Sequence, residues 1–202
     1  MQRAEHTPAF LLHQRAWGES GRVFELLSRD YGRISVFAHG VRGANAKLAG
    51  VLQPFLPLLV SWVGRGESPR LTGAEIDAAA IGRGPLPQAR LMSAWYLSEL
   101  VISLTVRHDP QPELYDHYRV AIEDLRQAPS LARTLRLFEK RLLDVLGYGI
   151  TELREVRFDD PDEVERVKPQ LRQALTSCLD GRSLRTRVVA QSLKDFERAH
   201  RE

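Results

Sequence analysis

The spacing of hydrophobic and polar residues changes near residue 82. Before that point, apolar residues come in short runs. Residues 9–12 are apolar, 23–27 are apolar apart from Glu25, and Ile34, Val36 and Ala38 alternate with Ser35 and Phe37. Residues 55–63 form a longer run and 71–76 a short one. The runs are rich in β-branched and aromatic residues, so each predicts a strand. Gly18-Glu19-Ser20-Gly21, Asp30-Tyr31-Gly32 and the Gly/Pro-bearing stretch 64–69 supply turns between them. Five strands with almost no helix between them predict a small antiparallel barrel, with one helical turn over 44–49. That arrangement suits an oligonucleotide-binding (OB) barrel; on pattern alone an SH3-like barrel fits nearly as well.

Gly82-Arg83-Gly84-Pro85-Leu86-Pro87 breaks the pattern. It divides the chain into domains 1–81 and 82–202, with 82–87 as linker. Beyond it the period is helical. Residues 88–106 carry Leu91, Trp95, Leu100, Val101 and Leu104 at three- and four-residue spacing and predict a central, buried helix. A second helix is predicted over 114–125. Ser130 caps a third, whose stripe is Leu131, Leu135, Phe138, Leu142, Val145 and Leu146 and whose other face carries Arg133, Arg136, Lys140 and Arg141. Gly147 ends it. Asp160-Pro161 opens another helix and Asp180-Gly181 stops it, while Pro169 is expected to kink or restart it. The last twenty residues are basic and weakly anchored. The fold class predicted is α+β and multidomain, an OB-fold β-barrel followed by an all-α domain.

Composition narrows this little. With 202 residues, 43% hydrophobic and 27% charged, the chain is an ordinary core-forming one. No run approaches the ~18 apolar residues of a membrane span, and the N-terminus lacks the apolar core of a signal peptide. A cytoplasmic protein with no membrane partner is expected. One cysteine, Cys178, leaves no internal disulfide or cysteine-rich zinc site, and its neighbours predict a buried small hydrophobe.

Charge is more informative. The net charge is +3. Residues 1–83 hold ten basic against seven acidic residues, and 84–202 hold nineteen of each. The excess therefore lies entirely in the first 83 residues, and basic clusters of this kind fit polyanion contact as well as a plain solvated surface. Arginine dominates the basic residues; its planar fork suits phosphate, but codon bias in a GC-rich genome accounts for most of the excess.

Catalytic chemistry is not apparent. Gly64-Arg65-Gly66 lies between strands and leads no helix, so it is a turn and not a phosphate loop. His108-Asp109 and Asp116-His117 are the notable pairings, but Pro110 and Pro112 break any helical ligand spacing. No nucleophile elbow or Cys–His frame is present. A non-enzyme is expected, without cofactor or metal.

Several stretches are familiar. Ala9-Phe10-Leu11-Leu12-His13 followed by Trp17-Gly18-Glu19, the stretch Gly32-Arg33-Ile34-Ser35-Val36-Phe37-Ala38-His39-Gly40-Val41-Arg42-Gly43, and Leu52-Gln53-Pro54-Phe55 occur in order. Leu135-Arg136-Leu137-Phe138-Glu139 and Gly147-Tyr148-Gly149 follow. Together these resemble the RecO family of bacterial recombination mediators, with His39 where lysine is common. Family members often have a longer segment after Gly-Tyr-Gly, some with a zinc-ribbon-like cysteine cluster; this chain has no such cysteines, and zinc is not implied.

The resemblance implies a DNA repair mediator with an OB barrel and a helical domain. It implies binding of single- and double-stranded DNA and annealing of strands coated by single-stranded DNA-binding protein (SSB). It also implies help in loading recombinase in the RecF pathway, with the SSB C-terminal tail and RecR as partners and a nucleoid-associated location. Arg33, Arg42 and Lys47 are the first candidates for phosphate contact, followed by Arg15, Arg22, Arg65, Arg70 and His39. Tyr31 and Phe37 are candidates for base stacking, Phe37 being equally suited to the core. Arg136, with Arg133 and Lys140 beside it, is the candidate for the acidic tail, over a pocket using Leu97, Val101 or Leu137. The alternative is an OB-fold RNA-binding protein of translation or ribosome association.

Overall fold

The computed structural model describes residues 2–19, 21–38, 46–66, 68–82 and 84–199, and side chains at all of these except 2, 46, 47, 49 and 193–199. Two compact units form: residues 1–84 with 105–120, and residues 85–104 with 121–202.

The first unit contains β1 (Gln2–Trp17), β2 (Gly21–Ser28), β3 (Gly32–Ala38), α1 (Ala46–Val51), β4 (Pro57–Gly64) and β5 (Arg70–Ile76). The strands run in the order β1-β2-β3-β5-β4 and close a barrel. All pairings are antiparallel except β3 with β5, which meet in parallel at Phe37 and Arg70. This is the OB-like arrangement, with its helix between the third and fourth strands.

β1 is far longer than its apolar run. Residues 2–10 pair with β4 and residues 9–17 with β2, so one strand turns a corner of the barrel. Irregularities at Ala4/Thr7 and Leu11/His13 bend it. Its polar residues belong to the strand because each half has a backbone partner, β4 for the first and β2 for the second, which hydrophobic spacing does not register. Inside the barrel Leu11, Phe24, Leu26, Ile34, Val36, Leu58, Val60 and Trp62 are all buried. Each contributes ~1.5–3 kcal/mol by leaving water. Tyr31 packs edge-on against Trp62, ring centroids 5.0 Å apart, and so belongs with this core and not to a stacking surface.

Residues 105–120 lie against the outside of the barrel. Phe10, 1% exposed, meets Tyr115 and Tyr118 at 5.3 and 5.2 Å. Burial pushes the Tyr115 phenol up to about 12. The His108 N–H donates to the Arg33 carbonyl at 2.9 Å. Gly32 has φ +66°, and a Cβ there would lie 2.0 Å from the Asp109 carbonyl oxygen, so only glycine fits this turn.

In the second unit, a 3₁₀ turn (Gln88–Arg90) leads into α2 (Leu91–Leu104). The later part of α3 (Pro112–Gln127) belongs here, with α4 (Leu131–Val145), α5 (Pro161–Leu179) and α6 (Arg185–Ala199). α2 packs against α4, α5 and α6. The Ser130 hydroxyl accepts from the Arg133 N–H at 3.2 Å and caps α4 as expected. Asp160 caps α5, and Asp180 and Gly181, both at positive φ, end it. α5 continues through Pro169 and does not restart there. Cys178 is partly buried, and desolvation raises its thiol pKa.

α6 needs a support that no local spacing reveals. The Glu99 carboxylate of α2 accepts from the N–H of Arg185 (2.7 Å), the N–H of Thr186 (2.9 Å) and the Thr186 hydroxyl (2.6 Å). A carboxylate at a helix start satisfies amides that otherwise lack partners and complements the helix dipole. Among the described residues no helix is long and apolar enough to cross a membrane, and no group of three or more His, Cys, Asp and Glu is arranged to hold a metal.

Candidate nucleic-acid interface

The pleat of the barrel sorts its cations. Arg15 pairs with Val23, Val23 with Phe37, and Phe37 with Arg70, so these four residues form one row across β1, β2, β3 and β5. The core residues Phe24, Val36 and Leu71 are their chain neighbours and face inward, so the row faces outward. Trp17, two residues beyond Arg15, shares this outer face and is 53% exposed. Arg15 lies over its indole ring, 5.3 Å from the centroid. Arg65 is exposed in the turn after β4.

Arg22 takes a different position. It pairs with Ala38, an inward-facing core residue, and donates to Gln14 Oε1 at 3.0 Å at the end of the barrel. It is not part of the outer row. Arg42 and His39 lie outside the described residues, as does the side chain of Lys47.

Arg33, the leading candidate from sequence, is an internal structural cation. Its side chain is 12% exposed and pairs with Glu25. It also donates to Thr105 Oγ1 at 3.1 Å and to the Thr105 carbonyl at 2.7 Å. These bonds occupy the guanidinium fork and leave it poorly placed for phosphate. Arg107, which no motif marks, donates to both oxygens of Glu25 at 3.0 and 2.9 Å and is 41% exposed. Burial alone would raise the Glu25 carboxyl; the bonds from Arg107 and Ser35 and the charges of Arg33 and Arg107 outweigh it and hold the group below the usual range. Glu25 thus holds both guanidiniums, Arg33 and Arg107, in one paired cluster.

The helical unit holds a cleft of about 660 Å³. Met92 and Leu135 give it apolar wall, and Arg136, Lys168, Arg172 and Arg187 give it charge. Two of these cations are already paired: Arg136 with Glu139 at 2.9 Å and Lys168 with Glu165 at 2.8 Å. Arg187 donates to the Tyr96 hydroxyl at 3.0 Å. Arg172 makes no ion pair among the described residues. Glu139 is fully buried, and its Oε1 accepts from the Tyr96 hydroxyl at 2.7 Å. Burial raises both groups, and the charge of Arg136 offsets only part of the shift at Glu139.

Arg133 and Lys140 do not line this cleft. Arg133 pairs with Asp159 at 2.7 Å and Asp124 at 3.5 Å, and Lys140 with Asp144 at 2.6 Å. Leu97 and Val101 are wholly buried in α2, and Leu137 is partly buried on α4 away from the cleft. None of these three lines the cleft.

Comparison with known proteins identifies the family. A family model described as Recombination protein O N terminal matches residues 1–79, and one described as Recombination protein O C terminal matches residues 89–195. The chain belongs to the RecO family. Among RecO relatives, the DNA repair protein RecO of Alkalilimnicola ehrlichii is 46% identical over 149 residues, 74% of this chain and 57% of that protein. The Methylococcus capsulatus DNA repair protein RecO is 43% identical over 162 residues, 80% of this chain and 64% of the relative. That of Burkholderia pseudomallei is 36% identical over 197 residues, 96% of this chain and 70% of the relative. The first two alignments thus span less than two thirds of those RecO proteins.

Proposed function

We propose that this chain is a non-enzymatic DNA repair mediator that binds single- and double-stranded DNA on its barrel and anneals complementary strands coated by SSB. The observation that carries this reading is membership of the RecO family across both units, joined to a barrel whose outer face carries Arg15 and Arg70, with Arg65 exposed in the turn after β4. Annealing needs no bond-making by the protein. It needs two polyanions brought together, and a basic surface that displaces their counterions lowers that barrier.

The helical cleft suits the acidic tail of SSB, with the apolar end against Met92 and Leu135 and the carboxylates toward Arg172 and Arg187. Arg136, the first choice from sequence, lines the cleft but is already paired with Glu139. Docking there holds the mediator on coated strands. RecR binding, assistance in recombinase loading in the RecF pathway, and a cytoplasmic, nucleoid-associated location complete the proposed role.

The test is annealing of complementary oligonucleotides coated with cognate SSB, either intact or lacking its acidic tail. The reading expects strong acceleration only with the tail present. Arg172→Ala is expected to weaken binding of the isolated tail peptide by about five- to ten-fold. Equal acceleration with and without the tail removes the cleft from the mechanism. Acceleration with neither, by folded protein, overturns the mediator reading.

A further inference from the structure

On the outer face of the barrel is a small pocket of about 330 Å³, lined by Arg15, Trp17, Val23, Phe37 and Ser68. Its composition is unusual for this surface. Trp17 is a large aromatic side chain left 53% exposed on a strand end. Phe37 is half-buried, and Val23 closes the floor at 5% exposure. Arg15 lies over the indole at 5.3 Å, which keeps a guanidinium plane beside the ring. Arg70 follows Phe37 in the same cross-strand row.

Burying Trp17 inside the protein would have been favourable by the area of its ring. An exposed indole held by a cation, beside a second aromatic ring and a hydrophobic floor, presents a flat π surface next to positive charge. The complementary ligand is flat, aromatic and anionic at its edge. A nucleobase on a phosphate backbone has that chemistry, and its π face stacks irrespective of sequence.

We infer that the Arg15–Trp17–Phe37 pocket takes an unstacked nucleobase of single-stranded DNA, with Arg15 and Arg70 positioned for the flanking phosphates. This rests on the DNA-binding reading and deepens it. The outer row alone would attract any polyanion, duplex included. The pocket adds a contact that only a strand with free bases can make, because a base within a duplex has both faces occupied by its neighbours. A barrel with this pocket is therefore expected to bind single strands more tightly than duplex of equal charge.

The experiment uses the full chain, an oligothymidylate and an abasic oligonucleotide of equal length and charge. The wild-type protein is expected to bind the oligothymidylate about ten-fold more tightly, and its exposed tryptophan emission to be quenched on binding. Trp17→Ala is expected to lose both the preference and the quenching, and Trp17→Phe to recover part of the preference. Arg70→Ala is expected to keep the preference while reducing the salt slope by ~0.7. A Trp17→Ala protein that retains the full preference for thymidylate overturns the pocket and leaves DNA binding by the barrel intact. Failure of the wild-type protein to bind either oligonucleotide overturns the DNA-binding reading, and the pocket with it.

Discussion

The barrel and the helical unit each bury one glutamate, and the two surroundings drive them in opposite directions. Glu25, with its side chain 10% exposed, accepts from Arg107, Arg33 and Ser35, and its carboxyl is held low. Glu139, 0% exposed, has Arg136 and Tyr96 on one oxygen, and its Oε2 is buried with no hydrogen-bond partner among the described residues. Its carboxyl is pushed up, first by burial. Burial alone does not set the sign; the number of donors that reach the carboxylate does.

The largest break in this comparison is removal of Glu25. Glu25→Ala leaves Arg33 largely buried and facing Arg107 with no carboxylate between them. The expected cost is ~3–5 kcal/mol, read as a fall in the urea midpoint. A loss below ~1 kcal/mol would show that the two guanidiniums escape to solvent without strain.

The second test is pH. Glu25 has a depressed carboxyl, so its stabilising contribution is present above the ordinary value of 4.5 and is lost as pH falls below it. Glu139 has a raised carboxyl, so its contribution is complete below 4.5 and is lost as pH rises through its folded value. Acidification should therefore weaken the barrel before it weakens the helices. Trp62, buried in the barrel, and Trp95, in α2, report on the two units in single-tryptophan variants. Parallel shifts of both reporters would contradict the assignment.

The smallest effect is expected from Glu139→Gln. The folded state already disfavours the charge, and a glutamine still offers an acceptor to Tyr96. The change in stability should stay within ~1 kcal/mol at neutral pH, with any gain appearing on the alkaline side. A loss comparable to that of Glu25→Ala would mean that the ion pair with Arg136 outweighs burial.

Much of the architecture is legible from local signals. The Ser130 cap, the Asp160-Pro161 start and the Asp180-Gly181 stop all fall where spacing places them, because caps and turns are local chemistry. Side-chain pairing across elements is less accessible. Arg33 follows a turn glycine and reads as exposed, yet Thr105, far along the chain, takes its donors. Glu139 reads as a surface acid among arginines, but α4 packs against both α5 and α2, and the buried arc widens to include it. α6 depends on Glu99, which belongs to another helix. Trp17 is visible in the sequence as part of the Trp17-Gly18-Glu19 stretch, but its exposure appears only once β1 is paired as far as Gly21.

The β3–β5 seam gives Phe37 a second role. It is where the two strands pair, and its backbone N–H donates to the Pro69 carbonyl at 3.0 Å. Its ring lines the small outer pocket whose rim includes Ser68, one residue before Pro69. Closing the ring of strands and shaping the pocket are thus one event. Any ligand that needs the pocket intact acts as a latch on the seam, by mass action and without touching the backbone. The amide proton of Phe37 is the gauge of that latch: its exchange with solvent slows in proportion to occupancy, while amides on the far side of the barrel keep their own rate.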